Sequence, residues 1–238
     1  MTKRLFDLTF AIAAIILTLP IMIVAGLLVW AEDGQQPLFV AGRVGRGGRD
    51  FRMIKLRTMI AGSEVLGGSS TAASDPRLTR LGLVLRRFKI DELPQFFNVL
   101  AGQMSVVGPR PNVRRGGVDL YTSQERMLLT VRPGITDLAS IVFADEGEIL
   151  KGSPDPDALY DSVIRPWKNR LALIYLEHQS LALDLRLIGL TMVALISRSV
   201  ALRGIDRLLE RWEVSDVLRR VCTRADPPGA AAPPGQTA

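Results

Sequence analysis

Two neighbouring carboxylates, Asp91 and Glu92, open a stretch of helical pattern that runs through Leu100. In the first turn of a helix they meet the positive end of its dipole and its free backbone N–H groups, which also attract phosphate. A carboxylate so placed can act as a nucleophile in phosphoryl transfer. The same placement also stabilises a helix with no chemistry at all, because acidic residues are favoured in first turns. The cationic company separates the two readings. Lys55 and Arg57 alternate along an extended stretch, Arg86 precedes Asp91, Arg110 stands between Pro109 and Pro111, and Arg132 precedes Pro133-Gly134. Such groups neutralise charge as a pyrophosphate bond breaks. Pro109 and Pro111 restrict the backbone around Arg110 and so lower the entropy lost in presenting a guanidinium fork to phosphate.

Other chemistries are poorly supplied. His178 is the single histidine and Cys222 the single cysteine, so a multi-histidine metal site, a thiolate zinc site and an internal disulfide are excluded. The formal net charge of +6 points to an anionic partner, whether nucleic acid, acidic lipid or a phosphorylated substrate. An aromatic content of 6% and no recognised binding motif argue against nucleic acid.

The elements that must position these residues can be read in outline. Residues 37–58 hold two extended stretches around a glycine-rich turn at Gly45–Gly48, which predicts a β-hairpin with Lys55 and Arg57 on one face. Residues 60–75 read as a loop. A short helix is expected over Leu81–Phe88, and a second from Asp91 with Pro94 in its first turn. Val106-Val107 reads as a short strand, and helices are expected over 122–130, 156–177 and, with interruptions, 183–220. The stretch Leu183–Ile196 is apolar enough to form a core helix or to lie on a bilayer, and the second is preferred. Residues 226–238, rich in Pro, Gly and Ala, read as a disordered tail.

From Leu8 to Ala31 no charged side chain occurs, and as helix this run would reach about 36 Å, enough to cross a hydrocarbon core. Its length and the Trp30-Ala31-Glu32-Asp33 ending do not fit a cleaved signal peptide. Pro20 at its midpoint predicts a kink or break, with Thr18 available to a freed carbonyl. Lys3 and Arg4 before the run and Arg43, Arg46, Arg49 and Arg52 after it would both prefer the cytoplasmic face. That favours a re-entrant hairpin, with a kinked transmembrane helix as the alternative.

The stretches KRLFDLTFAIAAIILTLP, FRMIKLRTM, DPRLTRLGLVLRRFKIDELPQFFNVLAGQMSVVGPRP and VRPGIT resemble, in order and spacing, the bacterial sugar transferase family of monotopic polyprenyl-phosphate phosphoglycosyl transferases. The resemblance covers roughly residues 1–200, and the chain looks like the small form that consists of the catalytic unit alone. It implies that Asp91 attacks the sugar-bearing phosphorus of a UDP-sugar, releases UMP and forms a phosphosugar-aspartate that polyprenyl phosphate then captures. It also implies Glu92 as base or metal partner, Mg2+ at Asp91 and Glu92, and phosphate contacts from Arg86 and Arg110. Lys55, Asn98 and Arg132 would support them. The family's anchor breaks at a Ser-Pro pair where this chain has Leu19-Pro20. After VRPGIT it has Asp137-Leu138-Ala139-Ser140 in place of Gly-Leu-Ala-Gln, which would mark a different sugar pocket or subgroup.

The expected fold is α+β and mostly helical, with a re-entrant membrane helix, a small β-hairpin and membrane-surface amphipathic helices. The expected domains are an anchor over 1–36, a catalytic domain over 37–222 and a disordered tail over 223–238. Catalysis is assigned to Asp91 and Glu92, substrate phosphate to Lys55, Arg86, Arg110 and Arg132, support to Asn98, Pro109 and Pro111, and anchoring to Lys3, Arg4 and Pro20. The expected partners are a UDP-sugar, a polyprenyl phosphate (undecaprenyl phosphate) and the lipid bilayer. A homodimer is left open, no nucleic acid is expected, and the location is the inner membrane with the catalytic domain facing the cytoplasm. The alternative function is a basic, membrane-associated binding or scaffold protein without catalysis.

Overall fold

The computed structural model describes residues 2–63, 68 and 70–229. The chain divides into two compact units, one of residues 1–67 with 76–135 and one of residues 68–75 with 136–238.

The first unit is built on α1, Thr2–Asp33, which is apolar over most of its length and carries Pro20 inside it. Asp7, Ala11, Met22, Ala25 and Val29 are buried along one stripe, the spacing of a single helix face. The opposite side exposes Ile12, Ile16, Leu17, Leu19, Ile21, Ile23, Val24, Leu27 and Leu28. Of the kink or break expected at Pro20, the break does not occur, since α1 runs through it. Proline removes one backbone bond and crowds the Ile16 carbonyl, and a long apolar helix tolerates that as a local distortion. Thr18 donates to the Ala14 carbonyl at 2.7 Å, not to the Ile16 carbonyl that loses its partner to proline.

Both ends of α1 are fastened within this unit. Lys3 Nζ donates to the Val107 carbonyl at 3.0 Å and Arg4 to the Val99 and Leu100 carbonyls at 2.7 and 3.1 Å. Asp7 accepts from Ser105 Oγ and the Val106 N–H. At the other end, Arg57 forms a two-pronged bond to the Asp33 carboxylate, at 2.7 Å on each oxygen.

Strands β1 (Leu38–Val44) and β2 (Asp50–Leu56) pair antiparallel, from Leu38 opposite Leu56 to Val44 opposite Asp50. The turn between them falls at the expected glycines, with Gly47 and Gly48 at φ 69° and 72°, where only glycine is unstrained. Helix α2 (Arg80–Arg87) is capped by Thr79, whose hydroxyl accepts from the Gly82 N–H. A 3-10 turn, Ile90–Glu92, leads through Pro94 into α3 (Gln95–Leu100), so the helix expected from Asp91 arrives in two pieces. Ala25 and Val29 of α1, Leu56 of β2 and Leu85 of α2 form one core cluster, with Leu81 and Ile90 against it. Strand β3 (Ser105–Val107) leads to Gly108, and β4 (Gly134–Thr136) pairs with β3. A Cβ added at Gly134 would lie 2.1 Å from the Gly108 nitrogen, so the two backbones meet where no side chain fits.

The second unit is helical. Asp137 caps α4 (Leu138–Val142), its carboxylate accepting from the Ser140 N–H and hydroxyl at 2.6 Å each. The Asp137 to Ser140 departure from the family pattern is thus a helix cap. Helices α5 (Glu146–Leu150), α6 (Pro156–Leu159) and α7 (Arg165–Glu177) follow, then α8 (Leu181–Ile196), α9 (Arg198–Arg211) and α10 (Asp216–Thr223). Trp167, Leu171, Ile174, Tyr175, Leu187 and Ile205 are fully buried and form its core. His178 stacks on Trp212 at 4.1 Å, a packing role. Leu185, Met192, Leu195 and Ile196 leave the outer side of α8 apolar and exposed. Of the tail expected from Thr223, Pro228 accepts from the Trp167 indole N–H, and residues 230–238 lie outside the described residues. So do 64–67 and 69 of the loop expected over 60–75.

Candidate active site

Glu92 is the hub of the first unit. Lys55 of β2 donates to its Oε1 at 3.2 Å, and Arg110 approaches both oxygens, NH1 to Oε2 at 3.2 Å and NH2 to Oε1. Three stretches distant in sequence meet on this carboxylate: β2, the turn after α2, and the Gly108-Pro109-Arg110-Pro111 loop. Arg110 NH1 also reaches the Ile135 carbonyl at 3.4 Å, and the Gly134 N–H donates to the Pro109 carbonyl, so the loop is held from both sides. Pro109 and Pro111 line a narrow groove with Tyr121 and Leu128.

Asp91 lies beside this cluster and is 5% exposed, and its Oδ1 is buried without a hydrogen-bond partner among the described residues. The two carboxylates are pushed in opposite directions. Burial and the neighbouring Glu92 charge raise Asp91 above the usual carboxylate value, and Lys55, Lys89 and Arg86 only partly offset this. Burial would raise Glu92 too, but Arg110, Lys55 and Lys89 outweigh it and hold the group well below its usual range. Glu92 is therefore a fixed negative charge already spent on two cations, and Asp91 is the carboxylate with bonding capacity left.

Arg86 is carried by α2, and its Nε donates to the Thr58 hydroxyl at 2.9 Å. Thr58 thus aims a cation whose charge is felt at Asp91. Gly82 makes this possible, because a Cβ there would lie 2.1 Å from the Thr58 carbonyl oxygen. Asn98 accepts from the Ile54 N–H at 3.0 Å and donates to the Arg52 carbonyl at 2.7 Å, pinning α3 against β2. Of the anticipated cations, Lys55, Arg86 and Arg110 gather at the carboxylate pair. Arg57 does not, since β2 ends at Leu56 and the guanidinium turns to Asp33. Arg132 Nε donates to the Gly102 carbonyl.

The residues that sequence reasoning missed are Lys89, Thr58 and Gln95. Lys89 precedes the turn at φ 57° and acts on both carboxylates. Its only signal in the sequence is its nearness to Asp91. Gln95 is fully buried, and neither its Oε1 nor its Nε2 has a hydrogen-bond partner among the described residues.

No group of three or more His, Cys, Asp or Glu side chains is placed to hold a metal among the described residues. Asp91 and Glu92 form a short oxygen donor set. Both Glu92 oxygens already accept from Lys55 and Arg110, so Asp91 is the uncommitted donor of the set, which suits Mg2+, an ion that keeps several waters and takes substrate phosphate oxygens to complete its shell.

Arg110→Met removes the main counter-charge of a buried carboxylate. Glu92, depressed in the folded state, contributes stability above its ordinary value of 4.5, and this is lost as pH falls through the lower folded value. The variant should be less stable at pH 7 by about 3 kcal/mol, with the gap closing below about pH 4. Denaturant unfolding across a pH series reads this, and a gap independent of pH would refute the pairing.

The sequence pattern of the bacterial sugar transferase family matches residues 1–198. An N-acetylgalactosaminephosphotransferase acting on undecaprenyl phosphate, from Aeromonas hydrophila, is 43% identical over 59% of this chain and 34% of its own length. The undecaprenyl-phosphate glucose phosphotransferase of Komagataeibacter xylinus is 36% identical over 80% of this chain and 35% of its own length. The exopolysaccharide production protein PSS of Rhizobium leguminosarum bv. phaseoli is 34% identical over 82% of this chain and 96% of its own length. The chain thus spans about a third of the length of the first two relatives and nearly all of the third. With the family's pattern running from the apolar helix through the carboxylate pair and beyond, the chain belongs to the bacterial sugar transferase family.

Proposed function

We propose that this chain transfers a phosphosugar from a UDP-sugar to undecaprenyl phosphate, giving undecaprenyl-diphosphate-sugar and UMP, as a first membrane step in building a polysaccharide. The observation that carries this is the asymmetry of the carboxylate pair. Glu92 is neutralised by Lys55 and Arg110, whereas Asp91 keeps a buried, unbonded oxygen beside several cations. An Asp91 oxygen attacks the sugar-bearing phosphorus, and the bond from that phosphorus to the bridging oxygen breaks. UMP leaves with the electron pair. An oxygen of undecaprenyl phosphate then attacks the same phosphorus and releases the Asp91 carboxylate. Arg86, Arg110, Lys55 and Lys89 face the negative charge that grows on the phosphoryl oxygens. Mg2+ held by Asp91, beside the Glu92 carboxylate that Lys55 and Arg110 already occupy, would supply further positive charge against the pyrophosphate. With its pKa held low by its cations, Glu92 is suited to fixing Lys55 and Arg110 in place rather than to taking a proton near neutral pH.

The anchor reading accompanies this one. Lys3, Arg4 and Asp7 at the start of α1 and Asp33 at its end all bond within the same unit. A straight span would set the two ends about 30 Å apart on opposite faces of the bilayer. With α1 bent at Pro20 while remaining one helix, the exposed apolar residues around Pro20 would instead dip into one leaflet, with both ends returning to the cytoplasmic face, where Arg43, Arg46, Arg49 and Arg52 also favour lying. The exposed apolar side of α8 also suits a membrane surface.

Asp91→Asn should cut UMP release from a UDP-sugar by at least about 10^3-fold. The same variant should raise the thermal midpoint at pH 7 in chelator. A carboxyl whose folded pKa is raised favours the folded state below its ordinary value of 3.8 and loses that contribution as pH rises. Asparagine keeps the shape without the charge. UMP release that persists in the variant would refute the role of Asp91, and a non-catalytic scaffold would release none with either protein.

Single cysteines at Thr2 and Gln35, in a background carrying Cys222→Ala, should react with a membrane-impermeant thiol reagent from the same side of sealed vesicles. Labelling from opposite sides would replace the re-entrant reading with a span.

A further inference from the structure

Gln95 is not explained by the fold. Its side chain is completely buried, and both the amide oxygen and the amide nitrogen lack hydrogen-bond partners among the described residues. A primary amide buried this way is costly, and a hydrocarbon side chain of the same size would serve packing better. Asn98, one helical turn further on, shows the contrast. Its amide is satisfied by the Ile54 N–H, the Arg52 carbonyl and the Gln103 side chain.

The location narrows the explanation. Asp91 lies in the 3-10 turn Ile90–Glu92, and Gln95 and Asn98 lie in α3, which begins just beyond Pro94, so Gln95 follows Asp91 by four residues and precedes Asn98 by one helical turn. Asn98 is fastened to β2. On the other side of Gln95 in the chain is the Asp91 carboxylate, whose Oδ1 is likewise buried and without a partner among the described residues. An amide N–H that can donate and a carboxylate oxygen that can accept, both buried, both without partners among the described residues and four residues apart, are complementary.

We propose that Gln95 is a positioning residue for Asp91. Its Nε2–H donates to Asp91 Oδ1 as the carboxylate turns its other oxygen to the phosphorus, and so fixes the attacking oxygen in line. The unpaired amide of the resting protein is then a cost retained for use during the reaction. This inference rests on the nucleophilic role of Asp91 proposed above, and it adds a residue that never touches the sugar or the nucleotide.

Gln95→Met preserves volume and removes both polar atoms, and Gln95→Glu preserves shape and removes the N–H. Each purified variant would be compared with wild type by thermal unfolding without substrate, and by the rate of UMP release from the UDP-sugar that serves wild type. Gln95→Met should unfold at the same temperature as wild type or higher. Both variants should release UMP about 10- to 100-fold more slowly at saturating donor, with KM within about twofold of wild type. A lower unfolding temperature for Gln95→Met would show that the amide is already satisfied, by water for example, and would overturn the proposal. So would an unchanged rate, or a raised KM at unchanged kcat, which would make Gln95 a binding contact. If wild type released no UMP from any UDP-sugar, the reaction itself would fail, a result separate from the unfolding comparison.

Discussion

A carboxylate buried as deeply as Glu92 cannot remain charged unless cations are brought to it, and the first unit is arranged to bring them. Lys55 comes from the hairpin and Arg110 from the loop after β3, so one ionised group ties together segments that share no local structure. Removing either cation leaves a buried charge short of a partner, which costs more than the pair itself contributes. The supports are correspondingly stiff. Asn98 clamps α3 to β2, Gly108 and Gly134 meet backbone to backbone, and prolines bracket Arg110. Lys55 and Lys89 act on both carboxylates, and Arg86 adds its charge at Asp91.

The cost of this arrangement is concentrated in two places. Asp91 carries a raised pKa and an oxygen without a partner among the described residues, and Gln95 carries an amide in the same condition. Elsewhere in the unit, buried polar groups are bonded with care. Asp7 accepts from Ser105 and Val106, and Arg57 bonds Asp33 and the carbonyls around it. Local violations of the rules of stable packing are the pattern of a site held ready for a ligand.

Much of this was legible in the sequence where the signal was chemical or repetitive. The apolar run predicted α1, the glycines predicted the hairpin turn, and the neighbouring carboxylates with Lys55, Arg86 and Arg110 predicted the cluster. The errors have physical causes. Strand alternation that placed Lys55 correctly was carried one step too far, to Arg57, because the sequence does not announce that β2 stops at Leu56. Pro20 predicted a kink or a break, and the helix is not broken, because one missing bond does not end a long apolar helix. Helices α4 and α5, of five residues each, are too short for a periodic pattern, and the cap that Asp137 makes on α4 is a property of the folded backbone rather than of the departure itself. Lys89 and Gln95 were invisible for a different reason: a positive φ and an unsatisfied amide are properties of the folded backbone, not of residue type.

The central claim is that Asp91 becomes covalently joined to the phosphosugar. It is tested most directly by intact-mass and peptide mass spectrometry of protein incubated with a donor UDP-sugar and no lipid acceptor. The account predicts a mass increase equal to one phosphosugar, located on the peptide that contains Asp91 and discharged when undecaprenyl phosphate is added. UMP that appears only when both substrates are present, with no adduct at any time, would contradict it and would mean direct transfer between the two substrates.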